Sequence, residues 1–313
     1  MVITVPWFRK KNRQLRNHYT FPKKYGTKKR LVNKGSTAKV YMYQKDAQTY
    51  AIKLFNPREP HETRQLYMET IEHEMLIHRK LRLNNNGRFV VDLLEVFTIN
   101  RDNVYYVMEY LPFNLERIYN RFGYMMEREI RLCYFRQLVQ ALQFLQSRDI
   151  SHRDIKPQNC CIDYEGRLKL VDFGSSIRGQ YAVGLAGSRK YAAAEVYRGQ
   201  RYDSFKADVW SLGVCLVLLY YCSDCRWKMA RDDSFYEAYC RHRSLDMVVK
   251  VPGNVELSQI YDHDSVDRTI LSLLDPDPQL RPELATLQLE HWFQAIPDHS
   301  QPDHCINHKK YLC

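Results

Sequence analysis

Two short runs hold residues able to do chemistry: Ser151-His152-Arg153-Asp154-Ile155-Lys156-Pro157-Gln158-Asn159, and then Val171-Asp172-Phe173-Gly174. Asp154 is a base for a hydroxyl nucleophile. Lys156 is a cation for a travelling phosphoryl group, and Asn159 and Asp172 are oxygen ligands of the hard kind that Mg²⁺ takes. Together they are the inventory phosphoryl transfer requires, because that chemistry is mostly positioning and charge stabilisation.

Such residues need elements to hold them. From Leu31 to Phe55 the pattern is two short strands, one around Val40, Tyr41 and Tyr43 and one over Tyr50 to Phe55. Gln65 to Leu83 is helical in character, with Leu76, Ile77, Leu81 and Leu83 recurring on one side. Phe89 to Tyr110 returns to strand-like runs around a turn at Asn100-Arg101-Asp102-Asn103. After Pro112 helices dominate: Glu127 to Arg148 is a long amphipathic helix, and Ser204 to Leu289 holds more. A strand-rich first third before a helix-rich remainder argues for two lobes with a site between them.

With 45% hydrophobic and 27% charged residues, a chain of 313 can bury a full core and is globular rather than disordered. Its longest apolar stretch, Val209 to Cys222, is broken by Ser211 and Gly213 and reads as a buried core helix rather than a membrane span. Met1 to Phe8 lacks the charged-then-apolar order of a signal peptide. Nine cysteines without regular spacing, the lone pair Cys222 and Cys225 included, read as reduced thiols of a cytoplasmic or nuclear protein. The net charge of +11 is concentrated: residues 1–30 carry ten Lys or Arg and no acid, leaving 37 basic and 36 acidic residues elsewhere.

In the order of these motifs, residues 25–293 resemble a eukaryotic protein kinase domain. The resemblance implies an α+β, two-lobed fold: a basic arm at 1–24, a small β-rich N-lobe at 25–110, a larger helical C-lobe at 111–296, and a tail at 297–313. It also implies roles. Ala51-Ile52-Lys53 resembles the strand whose lysine binds the α- and β-phosphates and pairs with a helix glutamate, here Glu74 with Glu72 as the alternative. Catalysis would fall to Asp154, Lys156, Asn159 and Lys53, with Mg²⁺ on Asn159 and Asp172. Asn33-Lys34-Gly35-Ser36-Thr37-Ala38-Lys39-Val40 stands in the place of a glycine-rich phosphate loop, with Asn33 and Ala38 replacing two glycines. ATP would also meet Val40, Ala51 and Cys161 around adenine, Met108, Glu109 and Leu111 at the hinge, and either Asn114 or Glu116 at the ribose. Gly187 to Glu195 is similar to the peptide-binding loop, and Glu195 is expected to pair with Arg281. Asp208 is expected to hold the backbone of the catalytic loop.

Lysine two residues after Asp154 is the serine/threonine form, so a protein Ser or Thr hydroxyl is the expected acceptor. Glu109 to Leu115, Gly187 to Tyr191, Trp227 to Phe235 and His304 to His308 are similar to the fungal nitrogen-permease-reactivator and halotolerance kinases, which implies regulation of membrane nutrient or ion transporters. Ala182-Val183-Gly184-Leu185-Ala186 has no hydroxyl where an activating phosphosite would fall, so activity independent of phosphorylation there is expected. The basic residues from 9 to 30 have three readings: a solvated tail, attachment to an anionic membrane surface, or nuclear import, with nucleic acid the least favoured partner. His299, His304, Cys305 and His308 read as tail residues before zinc ligands. A cytoplasmic monomer is expected, membrane-peripheral or nuclear according to the arm. The rival class is a catalytically silent kinase-fold scaffold, suggested by Asn33, Ala38, Ala194 and the polar His78.

Overall fold

A strand that the linear pattern does not announce opens the structure. The computed structural model describes residues 24–83, 87–99, 103–250, 265–297 and 310–312. The basic arm up to residue 23 and the tail histidines lie outside that set. Strand β1 (Thr27–Lys34) is exposed along almost its whole length. It shows no alternation because it is an edge strand, held by backbone pairing to β2 (Ala38–Lys45) with register shifts between Lys28 and Arg30 and between Leu31 and Asn33. Charged, bulged edges of this kind resist pairing with another chain.

The contacts divide the chain into two compact units, residues 1–73 with 91–111, and residues 74–90 with 112–313. In the first, β3 (Gln48–Phe55), β4 (Leu93–Ile99) and β5 (Asn103–Glu109) complete an antiparallel sheet in the order β1-β2-β3-β5-β4. Its register sorts the side chains onto two faces. Ile52 and Val107 share one with Tyr25 and Phe97, which form a buried aromatic and aliphatic cluster. Val40, Lys53 and Tyr106 are cross-strand neighbours, as are Ala51 and Met108, and these occupy the other face.

Helix α1 (Arg64–Arg82) crosses from the first unit to the second at Glu74. Thr63 Oγ1 accepts from Leu66 N–H at its start, and Arg79, Lys80 and Arg82 sit in the last turn, where cations suit the helix dipole. The buried positions are Tyr67, Ile71, Glu74, Met75, Ile77, His78 and Leu81. Leu76 and Leu83, placed by the linear pattern on the same stripe, are 51% and 68% exposed. The difference is one of phase: positions 71, 75, 78 and 81 keep the 3.6-residue period, and His78 is a buried member that an apolar pattern overlooks.

The second unit is helical. It begins with the two-residue strand β6 (Phe113–Asn114) and α2 (Leu115–Phe122), then α3 (Arg128–Gln146). Short strands β7 (Ile150–Ser151), β8 (Cys160–Ile162), β9 (Leu168–Leu170), β10 (Ile177–Arg178), β11 (Tyr181–Ala182) and β12 (Tyr202–Asp203) frame the loops between α3 and α4 (Ser204–Tyr221). Helices α5 (Ser234–His242) and α6 (Ser265–Leu273) follow. Long and apolar enough to cross a membrane by composition, α4 is instead 89% buried within the protein. It packs against α3 and α6. A Cβ on Gly213 would lie 2.9 Å from the Leu273 Cβ, so the α4–α6 crossing tolerates no larger residue there. The α+β architecture read from the sequence is therefore present, and the cysteines described are free thiols.

Candidate active site

In the first unit, the face carrying Val40, Ala51, Lys53 and Met108 is the one that holds the residues read as nucleotide-binding. Lys53 is only 5% exposed, and its Nζ lies 5.2 Å from the centroid of the Phe55 ring. Asn33 is a strand residue opposite Val40, and Ala38 a buried strand residue opposite Phe55. Neither has the positive φ that a glycine in a phosphate loop can supply. The turn between them is closed by Gly35 N–H donating to Ala38 O at 2.9 Å. Glu109 N–H donates to Asp92 O, and the Glu109 carboxylate accepts from Asp92 N–H at 2.8 Å. Met108 and Leu111 are buried.

In the second unit, the catalytic run leaves β7 and is held from below by α4. The Asp208 carboxylate accepts from His152 N–H at 2.7 Å and from Arg153 N–H at 2.8 Å. Burial pushes Asp208 up to about 7, against the two backbone donors that favour its ionised form. His152 is kept neutral by burial, its pKa lowered. Its Nδ1 accepts from Asp154 N–H at 3.3 Å, which leaves the proton on Nε2 to donate to Val171 O at 3.1 Å. One imidazole thus ties the two chemistry-bearing runs together. Val171 N–H donating to Asn159 O at 3.0 Å adds a second tie. Phe173 is sandwiched between His152 and His78, with ring centroids 5.4 and 5.0 Å away.

The side chains converge on Asp154. Lys156 Nζ lies 2.7 Å from Asp154 Oδ2, and Asn159 Nδ2 donates to the same oxygen at 2.9 Å. Ser188 N–H donates to Asp154 Oδ1 at 2.8 Å, and Lys156 Nζ also donates to Ser188 Oγ at 2.7 Å. Ser188, read from the sequence only as part of the peptide-binding loop, is therefore a member of the site. Its neighbour explains how: Gly187 has φ of 80°, and a Cβ there would lie 2.1 Å from Arg153 O, so only glycine lets the loop approach. Arg153 and Asp172 are themselves left-handed, with φ of 62° and 64°, a strain that the surrounding hydrogen bonds hold in place.

Asp172 is exposed at the mouth of this group. Gly174 is flanked by two carboxylates, since a Cβ there would lie 3.3 Å from Glu74 Oε2 and 3.5 Å from Asp172 Oδ1. With the amide nitrogen of Asn159 committed to Asp154, its oxygen is the group left for a ligand. An amide oxygen and a carboxylate are donors that fit Mg²⁺ and do not suit softer metals. The Cys161 thiol, pushed up to about 12 by burial, is neutral. Asn114 Oδ1 is used to cap α2, accepting from Arg117 N–H at 2.8 Å, while the Glu116 carboxylate accepts from Gln158 Nε2. Of the two residues read as ribose candidates, Glu116 is thus the one whose carboxylate stands beside the catalytic loop. Leu218 is buried within α4.

The peptide-binding loop ends at the ion pair expected for it. Arg281 reaches Glu195 through two bonds of 2.6 and 3.0 Å, with its side chain fully buried. Arg153, the residue beside Asp154, has its guanidinium filled by neutral oxygens: Tyr202 OH at 3.0 Å, Gly184 O at 3.1 Å and Ser175 O at 3.4 Å.

Comparison with known proteins bears out the resemblance drawn from the motifs. The family model described as the protein kinase domain matches residues 27–293. CBL-interacting protein kinase 5 of Oryza sativa subsp. japonica is 32% identical over 85% of this chain and 55% of its own length. The serine/threonine-protein kinase PRR2 of Saccharomyces cerevisiae is 28% identical over 78% of this chain and 36% of its own. The serine/threonine-protein kinase oca2 of Schizosaccharomyces pombe is 29% identical, covering 72% and 35% respectively. The chain spans about half the length, or less, of these curated relatives.

Proposed function

The chain belongs to the protein kinase family, and from that premise we propose that it is an active serine/threonine protein kinase using ATP and Mg²⁺. The observation that carries the proposal is Lys156 Nζ, 2.7 Å from both Asp154 Oδ2 and Ser188 Oγ. Asp154, with each oxygen already oriented by a donor, accepts the proton of a protein hydroxyl as that hydroxyl attacks. Lys156 neutralises the phosphoryl group in transit, and Ser188 fixes where the ammonium stands. Lys53 binds the nucleotide phosphates, with Asn33, Gly35, Val40, Ala51, Glu74, Met108, Glu109, Leu111 and Cys161 the further nucleotide-site residues. Asn159 and Asp172 would hold Mg²⁺, which would supply positive charge against the phosphates during transfer.

The test is transfer of labelled γ-phosphate from Mg·ATP to a generic protein and to the chain itself, with Asp154→Asn as control. Transfer by the wild type alone supports a kinase. Silence from both, with nucleotide still bound, establishes the scaffold reading.

Action on membrane nutrient or ion transporters is the finer proposal, supported by the likeness to the fungal transporter-regulating kinases and by the basic residues from 9 to 30. Sedimentation with anionic liposomes, with and without residues 1–23, checks the membrane part: equal sedimentation of both would refute it.

A further inference from the structure

On the second unit, away from Asp154, Tyr181, Arg198, Gln200, Arg201, Tyr202 and Gln279 line a cavity of about 440 Å³. The turn Arg198-Gly199-Gln200-Arg201 brings both guanidiniums to it. Gly199 ends the short helix Ala194–Arg198 in the left-handed conformation, φ 69°, which reverses the chain within two residues. The Arg201 guanidinium carbon lies 4.2 Å from the centroid of the Tyr181 ring. Stacking of that kind fixes the guanidinium plane and leaves its N–H edge for an oxyanion. Among the described residues neither arginine has an ion pair or hydrogen bond.

The acids of the lining are already committed. Glu195 is locked onto Arg281, and Asp203 caps α4 while accepting from Gln180 Nε2 at 2.7 Å. The cavity therefore presents two arginines with no acid paired to them and the side-chain amides of Gln200 and Gln279, against one carboxylate, Asp203, whose neutral donors leave its charge in place. That set suits a doubly charged group with several acceptor oxygens.

One wall of the cavity also reaches the catalytic loop. Tyr202 OH accepts from Arg153 Nε at 3.0 Å and donates to Gly184 O at 3.3 Å. Tyr202 belongs to the β11–β12 ribbon, where Ala182 pairs with Tyr202. The stretch from Ala182 to Ala186 has no hydroxyl of its own to phosphorylate. We propose that this cavity binds a phosphorylated side chain of another protein, and that its occupation braces the β11–β12 ribbon and, through Tyr202 and Arg153, the catalytic loop. The bracing half rests on the kinase reading; the binding half does not.

The test pairs binding with rate. Fluorescence anisotropy is read for a labelled peptide carrying one phosphoserine among alanines, for its unphosphorylated twin, and for inorganic phosphate as competitor. The phosphopeptide should bind the wild type and lose at least tenfold in affinity on Arg198→Ala/Arg201→Ala, with partial rescue by the paired lysine substitutions. Binding that survives the double substitution, or that the unphosphorylated twin reproduces, would overturn the site. Inorganic phosphate binding as tightly as the phosphopeptide would overturn the assignment to a protein-borne group. In the second arm, saturating phosphopeptide should raise phosphorylation of a separate acceptor peptide severalfold in the wild type and not in the double variant. Arginine-dependent binding with an unchanged rate would sink the bracing role, and binding without any phosphoryl transfer would count against the kinase reading alone.

Discussion

Replacing Glu195 by Gln tests how the end of the peptide-binding loop is held. The Arg281 side chain has no exposure, and besides Glu195 it donates to Asp275 O at 2.8 Å and Lys206 O at 2.9 Å. It also lies against the Trp210 ring, 5.0 Å from its centroid. The Glu195→Gln substitution would keep the shape and remove the one ion-pair partner that Arg281 has among the described residues, leaving its guanidinium with no route to water. Breaking one side of a buried pair costs about 3–5 kcal/mol, because the surviving charge stays desolvated. At roughly 2–4 °C per kcal/mol for a chain of this size, the melting temperature should fall by about 10 °C. Arg281→Met should cost at least as much, since two backbone carbonyls lose their donor along with the carboxylate. The double variant should cost no more than the worse single variant, because it leaves neither charge stranded. Urea unfolding of the three variants measures this. A Glu195→Gln cost below about 1 kcal/mol, the value of an exposed pair, would refute the reasoning, as would single costs that simply add.

The remaining expectations concern the catalytic loop. Asp208→Asn at pH 7.5 leaves one of two buried N–H groups facing an amide nitrogen and should cost about 1–3 kcal/mol, read by thermal melts. Because burial raises the Asp208 pKa from 3.8 to about 7, its protonation stabilises the native state fully below pH 4 and is lost as pH rises through 7. The wild type's lead over Asp208→Asn should therefore shrink between pH 4 and 7, and a lead that widens would contradict the burial argument. Ser188→Ala removes a hydrogen bond to Lys156 and should lower kcat by about fivefold, with Ser188→Thr close to wild type, since one such bond is worth about 1 kcal/mol. Equal activity of the alanine and threonine variants would remove Ser188 from the site. Arg153 is filled by neutral oxygens, so bacterially made, phosphatase-treated protein should phosphorylate a generic substrate as well as untreated protein. Dependence on an upstream kinase acting within residues 175–191 would overturn that.

By itself the sequence determined the chemistry-bearing residues, because catalysis constrains residue type at short spacing. Asp154, Lys156 and Asn159 sit within six positions, and a loop that short leaves them few ways to be apart. It also determined the helix-rich second unit, whose buried faces repeat over several turns, and the Glu195–Arg281 pair through the resemblance of both flanking motifs. What only the tertiary structure decided depends on partners distant along the chain. Strand β1 exists because β2 pairs with it, and its own residues carry no apolar alternation. The phase of α1 was settled by the neighbours that bury His78 and leave Leu76 in solvent. Ser188 joins Asp154 across 34 residues, and Glu116 meets Gln158 across 42. The two arginines beside Tyr181 likewise become a site only when β11 and β12 pair. Local spacing writes itself into a sequence because neighbours in the chain are neighbours in space, whereas a long-range contact is specified jointly by every residue that packs around it.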